Sequence, residues 1–347
     1  MMEAMLYERL PDEKVQCNLC AHRCIIQKSK KGICGVRENI DGKLYVMNYG
    51  KLIAQHVDPI EKKPLFHFYP GSKAYSIATA GCNFQCEFCQ NYDISQMPFR
   101  ENRIIGQDST PEETLMQAIQ HGCKSIAYTY TEPTIFYEYA YDVAQLAHEK
   151  NIKNIFITNG FITSEALQII APNLDAANVD LKSFSNDFYK KICKGKLQPV
   201  LETIKMLNQL GIWIEVTSLV IPTLNDTEQE FHSIAEFILS VSENIPWHIS
   251  AFYPAYKLKY LPPTPLAVLN RAWKIGLETG LHNVYLGNVT NNAIANTKCP
   301  SCGEILIERT NFGIIKNRIQ DGHCPNCKKE IAGVGMSHNL HKNNKGI

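Results

Sequence analysis

The pattern that most restricts how this chain can fold begins at residue 74. Short apolar runs at 74–80, 125–130, 154–158, 176–181, 212–221, 248–252 and 283–286 alternate with helical patterns at 111–121, 134–150, 164–170, 199–210, 227–241 and 265–280. The first of these helices has a conventional start: Pro111 follows Ser109-Thr110, and Glu112 and Glu113 occupy the first turn, where the helix dipole favours acids. Strands separated by helices of this length imply a parallel sheet with right-handed crossovers. Six such units and a seventh strand make an α/β protein, an open (β/α)6 partial barrel spanning residues 74–290.

Parallel-sheet enzymes carry their chemistry in the loops beyond the C-terminal strand ends. The first exit here is Gly81 to Asn91, GCNFQCEFCQN, with Cys82, Cys86 and Cys89 spaced C-x3-C-x2-C. Three thiolates this close can converge on one metal centre, and the absence of a fourth cysteine would leave one iron of a [4Fe–4S] cluster open to another ligand. A zinc knuckle, usually C-x2-C with a second pair, fits the spacing poorly. The next exits carry Glu132 before Pro133, Asn159 before Gly160, Asp180 and Lys182 on one face of their strand, the segment from Val220 to Asn225, and His248 with Ser250.

The remaining cysteines group at the two ends. Cys17, Cys20, Cys24 and Cys34 could close a zinc site or a second iron–sulfur cluster, with His22 and His67 as candidate substitutes; residues 1–73 are read as this module and a covering segment. Within it, KLYVMN and KLIAQHV suit a hairpin across Tyr49-Gly50, and DPIEKKPLFHFYPGS a linker or covering loop. Cys299, Cys302, Cys324 and Cys327 form two C-P-x-C knuckles around a strand-rich segment, a zinc ribbon at 291–337 that needs its metal to stay folded. Arg309, Lys316, Arg318, Lys328 and Lys329 read as its solvated basic face, and 338–347 as a polar tail. Cys123 and Cys193 stand alone and read as packing residues. Clusters of this kind in a chain without a secretory signal mean metal rather than disulfides, and a cytoplasmic protein. With 35 Lys and Arg against 34 Asp and Glu, no global field points to nucleic acid, and no apolar run is long enough for a membrane span.

At the cysteine triplet, with Phe88 as the aromatic before its last member, the chain resembles the radical S-adenosylmethionine (SAM) superfamily. Within it the chain is similar to the pyruvate-formate-lyase-activase-related branch, and most of all to the radical SAM member of the three-part AmmeMemoRadiSam system. That resemblance runs from CNLCAHRC and GICGVREN through DPIEKKPLFHF, YTYTEPTIFYEY, TNGF, DLKSF and VIPTLND to CPSCG and CPNCKKEIAG. It implies a [4Fe–4S] cluster on Cys82, Cys86 and Cys89, SAM as co-substrate, and reductive SAM cleavage to methionine and a 5′-deoxyadenosyl radical that takes hydrogen from a substrate. It implies Glu132 at the SAM amino group, although Tyr130 and Thr131 replace the superfamily's two glycines. Asp180 and Lys182 would hold the methionyl carboxylate and ribose, Asn159 and the residues from Val220 to Asn225 the ribose and adenine, and His248 would line the pocket. The implied partners are a flavodoxin or ferredoxin reductant and Memo-like and AMMECR-like proteins. Two other readings stand beside this one: an activase of a glycyl-radical enzyme, and a scaffold for RNA or protein in which every cysteine set holds zinc.

Overall fold

A computed structural model of the chain describes residues 2–289, 295–310 and 312–337. The expected tail at 338–347 and the middle of the linker before the C-terminal module, 290–294, lie outside the described residues. The alternation from residue 74 builds one sheet. Its strands are β1 (Lys51–Pro59), β2 (Lys73–Thr79), β3 (Gln107–Asp108), β4 (Ser125–Tyr128), β5 (Lys153–Thr158), β6 (Ala176–Asp180), β7 (Trp213–Val220), β8 (Trp247–Ala251) and β9 (Val284–Gly287). They are ordered β9-β8-β7-β6-β5-β4-β2-β1-β3. The seven strands from β2 to β9 that the sequence pattern anticipates pair in parallel. They are buried almost throughout, as expected where helices cover such a sheet.

The helices follow the expected spans closely: α1 (Pro111–Gln120), α2 (Tyr137–Glu149), α3 (Ser164–Ile170), α4 (Leu197–Gln209), α5 (Glu228–Val241) and α6 (Leu266–Thr279). α1 opens with a complete capping box, in which Thr110 accepts from the Glu113 amide and Glu113 accepts from the Thr110 amide.

The N-terminal region departs from expectation. Lys43–Val46 pairs with Arg37–Ile40 and not with Lys51–Pro59. The turn between the first two is Asp41-Gly42, both at positive φ (49° and 75°), the backbone that a two-residue hairpin requires and that Asp-Gly adopts readily. Lys51–Pro59 instead joins the central sheet as β1, antiparallel to β2. No boundary at residue 73 therefore separates the sheet from what precedes it.

Of the two readings of the segment after β1, linker or covering loop, its burial fits the second. Ile60, Leu65, Phe66 and Phe68 are buried, as are Glu61, Lys63 and His67. Glu215, near the start of β7, accepts from the amides of Phe66 (2.9 Å) and His67 (2.7 Å), so this segment packs at the strand ends opposite the cysteine loop. The C-terminal module has the expected antiparallel strands, Thr297–Lys298, Ile305–Thr310 and Gly313–Asn317. Arg309, however, is not part of a solvated face. It is buried, donating to the Phe66 carbonyl (2.8 Å) and the Thr297 hydroxyl (2.7 Å), with its guanidinium 4.4 Å above the Phe66 ring. It is a tether between the C-terminal module and the buried segment.

Candidate functional site

β2 delivers the chain to Gly81 and the three cysteines. Gly81 stands at φ 110°, and a Cβ there would meet the Val36 side chain at 2.8 Å and the Cys34 carbonyl at 3.3 Å, so only glycine fits. The cysteine loop is held from every side. The Gln85 and Glu87 amides donate to the Cys193 (3.0 Å) and Ile192 (3.1 Å) carbonyls; the Gln96 side chain donates to the Phe84 carbonyl (3.1 Å); Asn91 donates to the Tyr130 carbonyl (2.7 Å) and the Lys257 amide to the Glu87 carbonyl (2.9 Å). Backbone fixed in this way presents its thiols without further ordering cost on binding a ligand.

Groups around the thiols point at sulfur. The Phe84 amide donates to Cys82 Sγ (3.4 Å), the Asn159 side-chain amide lies 3.9 Å from the same sulfur, and Ser95 Oγ is 3.2 Å from Cys89 Sγ. Burial and the nearby Glu132 push the Cys82 thiol well up. Cys86 is held down, first by the Cys193 thiol beside it and then by Lys182; Cys193 is pushed well up by its burial. The donor set fits an iron–sulfur cluster: three thiols on one short loop with N–H and O–H donors beside them of the kind that tune such clusters, and the positive Lys182 nearby.

The neighbouring strand exits come together at this loop. Asn159, after β5, donates to Asn83 Oδ1 (2.7 Å). Asp180 and Lys182 lie on one face, as strand alternation requires, and form an ion pair at 2.8 Å. Lys182 Nζ sits 5.7 Å from the centre of the buried Phe88 ring; the Asp180 carboxylate, with Cys86 adding, holds the Lys182 ammonium well above its ordinary range despite burial. Asn225 donates to the Lys182 (2.8 Å) and Leu219 (2.9 Å) carbonyls and accepts from the Ile221 amide (2.6 Å), which locks the turn after the buried Val220.

Glu132 is fully buried. Its Oε1 accepts from the Thr134 amide (3.1 Å), the Thr134 hydroxyl (2.6 Å) and the Thr158 hydroxyl (2.8 Å), and its Oε2 from the Asn159 amide (2.8 Å). Four donors leave a single lone pair, on Oε2, for anything else. His248 is not brought to the cysteine loop. Its Nε2 is 2.6 Å from Glu215 and its ring packs on Phe66 and Tyr285, so it belongs to the network that holds the segment after β1. His67 lies in that network too, and His22 meets the Asn83 carbonyl (2.8 Å). Tyr137 and Tyr139 pack inside, donating to Ala166 O and sharing a hydrogen bond with Thr114, while Tyr256 stacks on Tyr92 at 4.6 Å beside the cysteine loop.

Sequence reasoning missed Cys193 and Asn83. Cys193 has no cysteine near it in sequence, and only the fold places it against Cys86. The C-terminal sulfurs do converge: those of Cys299, Cys302, Cys324 and Cys327 all lie within 4.8 Å of one another, a spacing at which they could hold a metal ion. The Lys329 amide helps bring the Cys327 thiol down to about 6.

A family model described as the radical SAM superfamily matches residues 76–238. An uncharacterized protein of Methanocaldococcus jannaschii is 46% identical over 334 residues, 95% of this chain and 99% of its own length. The pyruvate formate-lyase-activating enzyme of Clostridium pasteurianum is 23% identical over 180 residues, 48% of this chain and 72% of that one. In fold, the chain is similar to Streptococcus suis SuiB bound to S-adenosylmethionine, with a TM-score of 0.50 at 14% identity over 67% of this chain and 53% of that one.

Proposed function

The chain belongs to the radical SAM superfamily, and on that premise we propose that it is an enzyme whose Cys82, Cys86 and Cys89 hold a [4Fe–4S] cluster with one open iron for SAM. When bound and reduced, such a cluster supplies one electron to the SAM sulfonium, yielding methionine and a 5′-deoxyadenosyl radical that abstracts hydrogen from a substrate. The observation that carries the reading is that two strand exits reach the cysteine loop, through Asn159 on Asn83 and Lys182 over Phe88, and that Glu132 and Asn225 in turn hold Asn159 and Lys182.

The protein's own part is to bind, orient and exclude water. Lys182 uses one N–H on Asp180 and has others to offer a carboxylate. Glu132 has one lone pair on Oε2 for an ammonium group, and otherwise fixes Thr158 through Oε1 and Asn159 through Oε2. Phe88 and the segment from Val220 to Asn225 supply apolar and backbone surface for a nucleoside. His248, paired with Glu215 at the opposite strand ends, takes no part in this site. In this reading the open sheet curves as a (β/α)6 partial barrel, the C-terminal cysteines hold zinc, and the protein works in the cytoplasm with a flavodoxin- or ferredoxin-type reductant and with Memo-like and AMMECR-like partners. Among the described residues no helix is long and apolar enough to cross a membrane.

The sequence likeness to a pyruvate formate-lyase-activating enzyme favours a second, narrower reading, in which the hydrogen comes from a glycine of a partner enzyme. A stable glycyl radical on such a partner would single it out. For the broader reading, the test is electron paramagnetic resonance of the anaerobically reduced protein. Adding SAM should change the cluster's spectrum, and the Lys182→Met variant should need more SAM for the same change. A spectrum indifferent to saturating SAM would end the proposal.

A further inference from the structure

We propose that Cys17, Cys20, Cys24 and Cys34 bind a second [4Fe–4S] cluster, ligated by all four thiolates, and not a structural zinc ion. The chain carries its own standard for what a tetrahedral site looks like. In the C-terminal set, Cys299 and Cys327 sulfurs are 3.5 Å apart, Cys302 and Cys324 sulfurs 3.7 Å, and all four lie within 4.8 Å of one another. With zinc–sulfur bonds of about 2.3 Å, sulfurs at the corners of a tetrahedron stand roughly 3.8 Å apart, which is that spacing. A cube of irons and sulfides between the thiolates holds them farther apart, on the order of 6 Å.

The N-terminal sulfurs do not close to the first pattern. Among the described residues, no other trio of cysteine, histidine, aspartate or glutamate ligand atoms closes to the spacing of the C-terminal set. Yet Cys17, Cys20, Cys24 and Cys34 all line one cavity, closed on its apolar sides by Leu19 and Ile26. The four thiols therefore stand around a space and do not meet at a point. That is what a cluster needs and what a single ion does not. His22 reaches the cavity wall with its Nε2 on the Asn83 carbonyl at 2.8 Å, and among the described residues it closes with no pair of these thiols to the spacing of the C-terminal set.

The surroundings suit a redox centre. The cavity is also lined by Thr134 and Ile135, two and three residues after Glu132, and by Arg37, whose buried guanidinium lies 4.0 Å from Cys17 Sγ. Cys34 packs its carbonyl against Gly81, next to Cys82, and His22 holds Asn83, the residue after Cys82. The Ala21 amide donates to the Phe161 carbonyl (3.2 Å), two residues past Asn159. A cluster here would share walls with the first cysteine loop. A purely structural ion has no need of that address.

The site stands independently of SAM cleavage, so it is tested by metal content and spectroscopy. Full-length protein, purified anaerobically and reconstituted with iron and sulfide, should hold about eight irons and about one zinc. The Cys82→Ala/Cys86→Ala/Cys89→Ala variant should keep about four irons, brown absorbance and a paramagnetic signal on dithionite reduction. Adding Cys20→Ala and Cys24→Ala to that variant should remove these irons and leave the zinc count unchanged. The proposal is overturned if the triple variant holds no cluster iron, whether it carries a second zinc or no metal at the N-terminal set. It is equally overturned if the triple variant's iron survives the two N-terminal substitutions.

Discussion

Replacing Glu138 with glutamine should loosen the whole N-terminal cysteine module while leaving the central sheet intact. Arg37 and Glu138 are 2% and 0% exposed, and one guanidinium nitrogen reaches both carboxylate oxygens. The same carboxylate accepts from the Met5 amide (2.8 Å), and Arg37 also donates to the Met5 carbonyl (3.4 Å). The pair thus pins the chain terminus and the strand Arg37–Ile40 to α2. Glutamine is nearly isosteric but neutral, so it leaves a buried guanidinium without its counter-charge. Stranding one partner of a buried pair costs about 3–5 kcal/mol. At about 1.4 kcal/mol per decade, the midpoint of that range shifts the docking equilibrium by roughly a thousandfold. Amide hydrogen exchange should show faster exchange across residues 2–46, with β4 to β6 still protected. The double variant Arg37→Met/Glu138→Leu removes both charges and should recover most of the protection. Unchanged exchange in Glu138→Gln, or a double variant looser than the single, would refute the reasoning.

Other consequences follow from single side chains. His67 is buried, with Nδ1 donating to the Ala332 carbonyl (2.7 Å) and Nε2 accepting from the Tyr285 hydroxyl (2.6 Å), and burial pushes its pKa down to about 4. Because the unfolded imidazole takes up its proton near 6.5, the unfolded state binds more protons between about pH 6.5 and 4, and stability falls across that window by about 1.4 kcal/mol per pH unit. Urea midpoints should show this slope in the wild type and lose it in His67→Phe; parallel slopes would remove His67 from the account. At Gly195 a Cβ would come within 2.3 Å of the Phe84 ring. Gly195→Ala should therefore shift the cysteine loop at a cost of about 1–3 kcal/mol, read as iron lost from the first cluster on mild chelation. Lys182→Met removes a charged hydrogen-bond donor worth about 1.5–3 kcal/mol, so the KM for SAM should rise roughly ten- to a hundredfold; an unchanged KM would place the SAM carboxylate elsewhere.

The strands and helices of the sheet were legible because each is longer than a turn and its apolar period is unbroken. Asp180 and Lys182 could be placed on one face from alternation alone, and the structure pairs them. What failed was local competition between turns. Asp41-Gly42 is the stronger hairpin signal, but the polar RENI strand before it hides the pairing, and Tyr49-Gly50 beside two apolar runs drew attention instead. For the segment after β1, charges and prolines leave linker and covering loop undivided in the sequence, and only its burial selects the covering loop. Its burial depends on Asp58 at its own start, which pairs with Lys63, and on Glu215 and Arg309 from far along the chain, which hydrogen-bond its backbone. Ligand geometry was the least legible. Spacing found all three cysteine sets, but only folded coordinates separate four sulfurs that meet from four that surround a cavity.

The most direct test of the central claim is product formation. Anaerobic protein with dithionite and SAM should yield 5′-deoxyadenosine and methionine in equal amounts, and the Cys82→Ala/Cys86→Ala/Cys89→Ala variant should yield neither while retaining the iron of its N-terminal site. Wild-type protein carrying its full complement of reducible iron–sulfur clusters that never cleaves SAM would contradict the account.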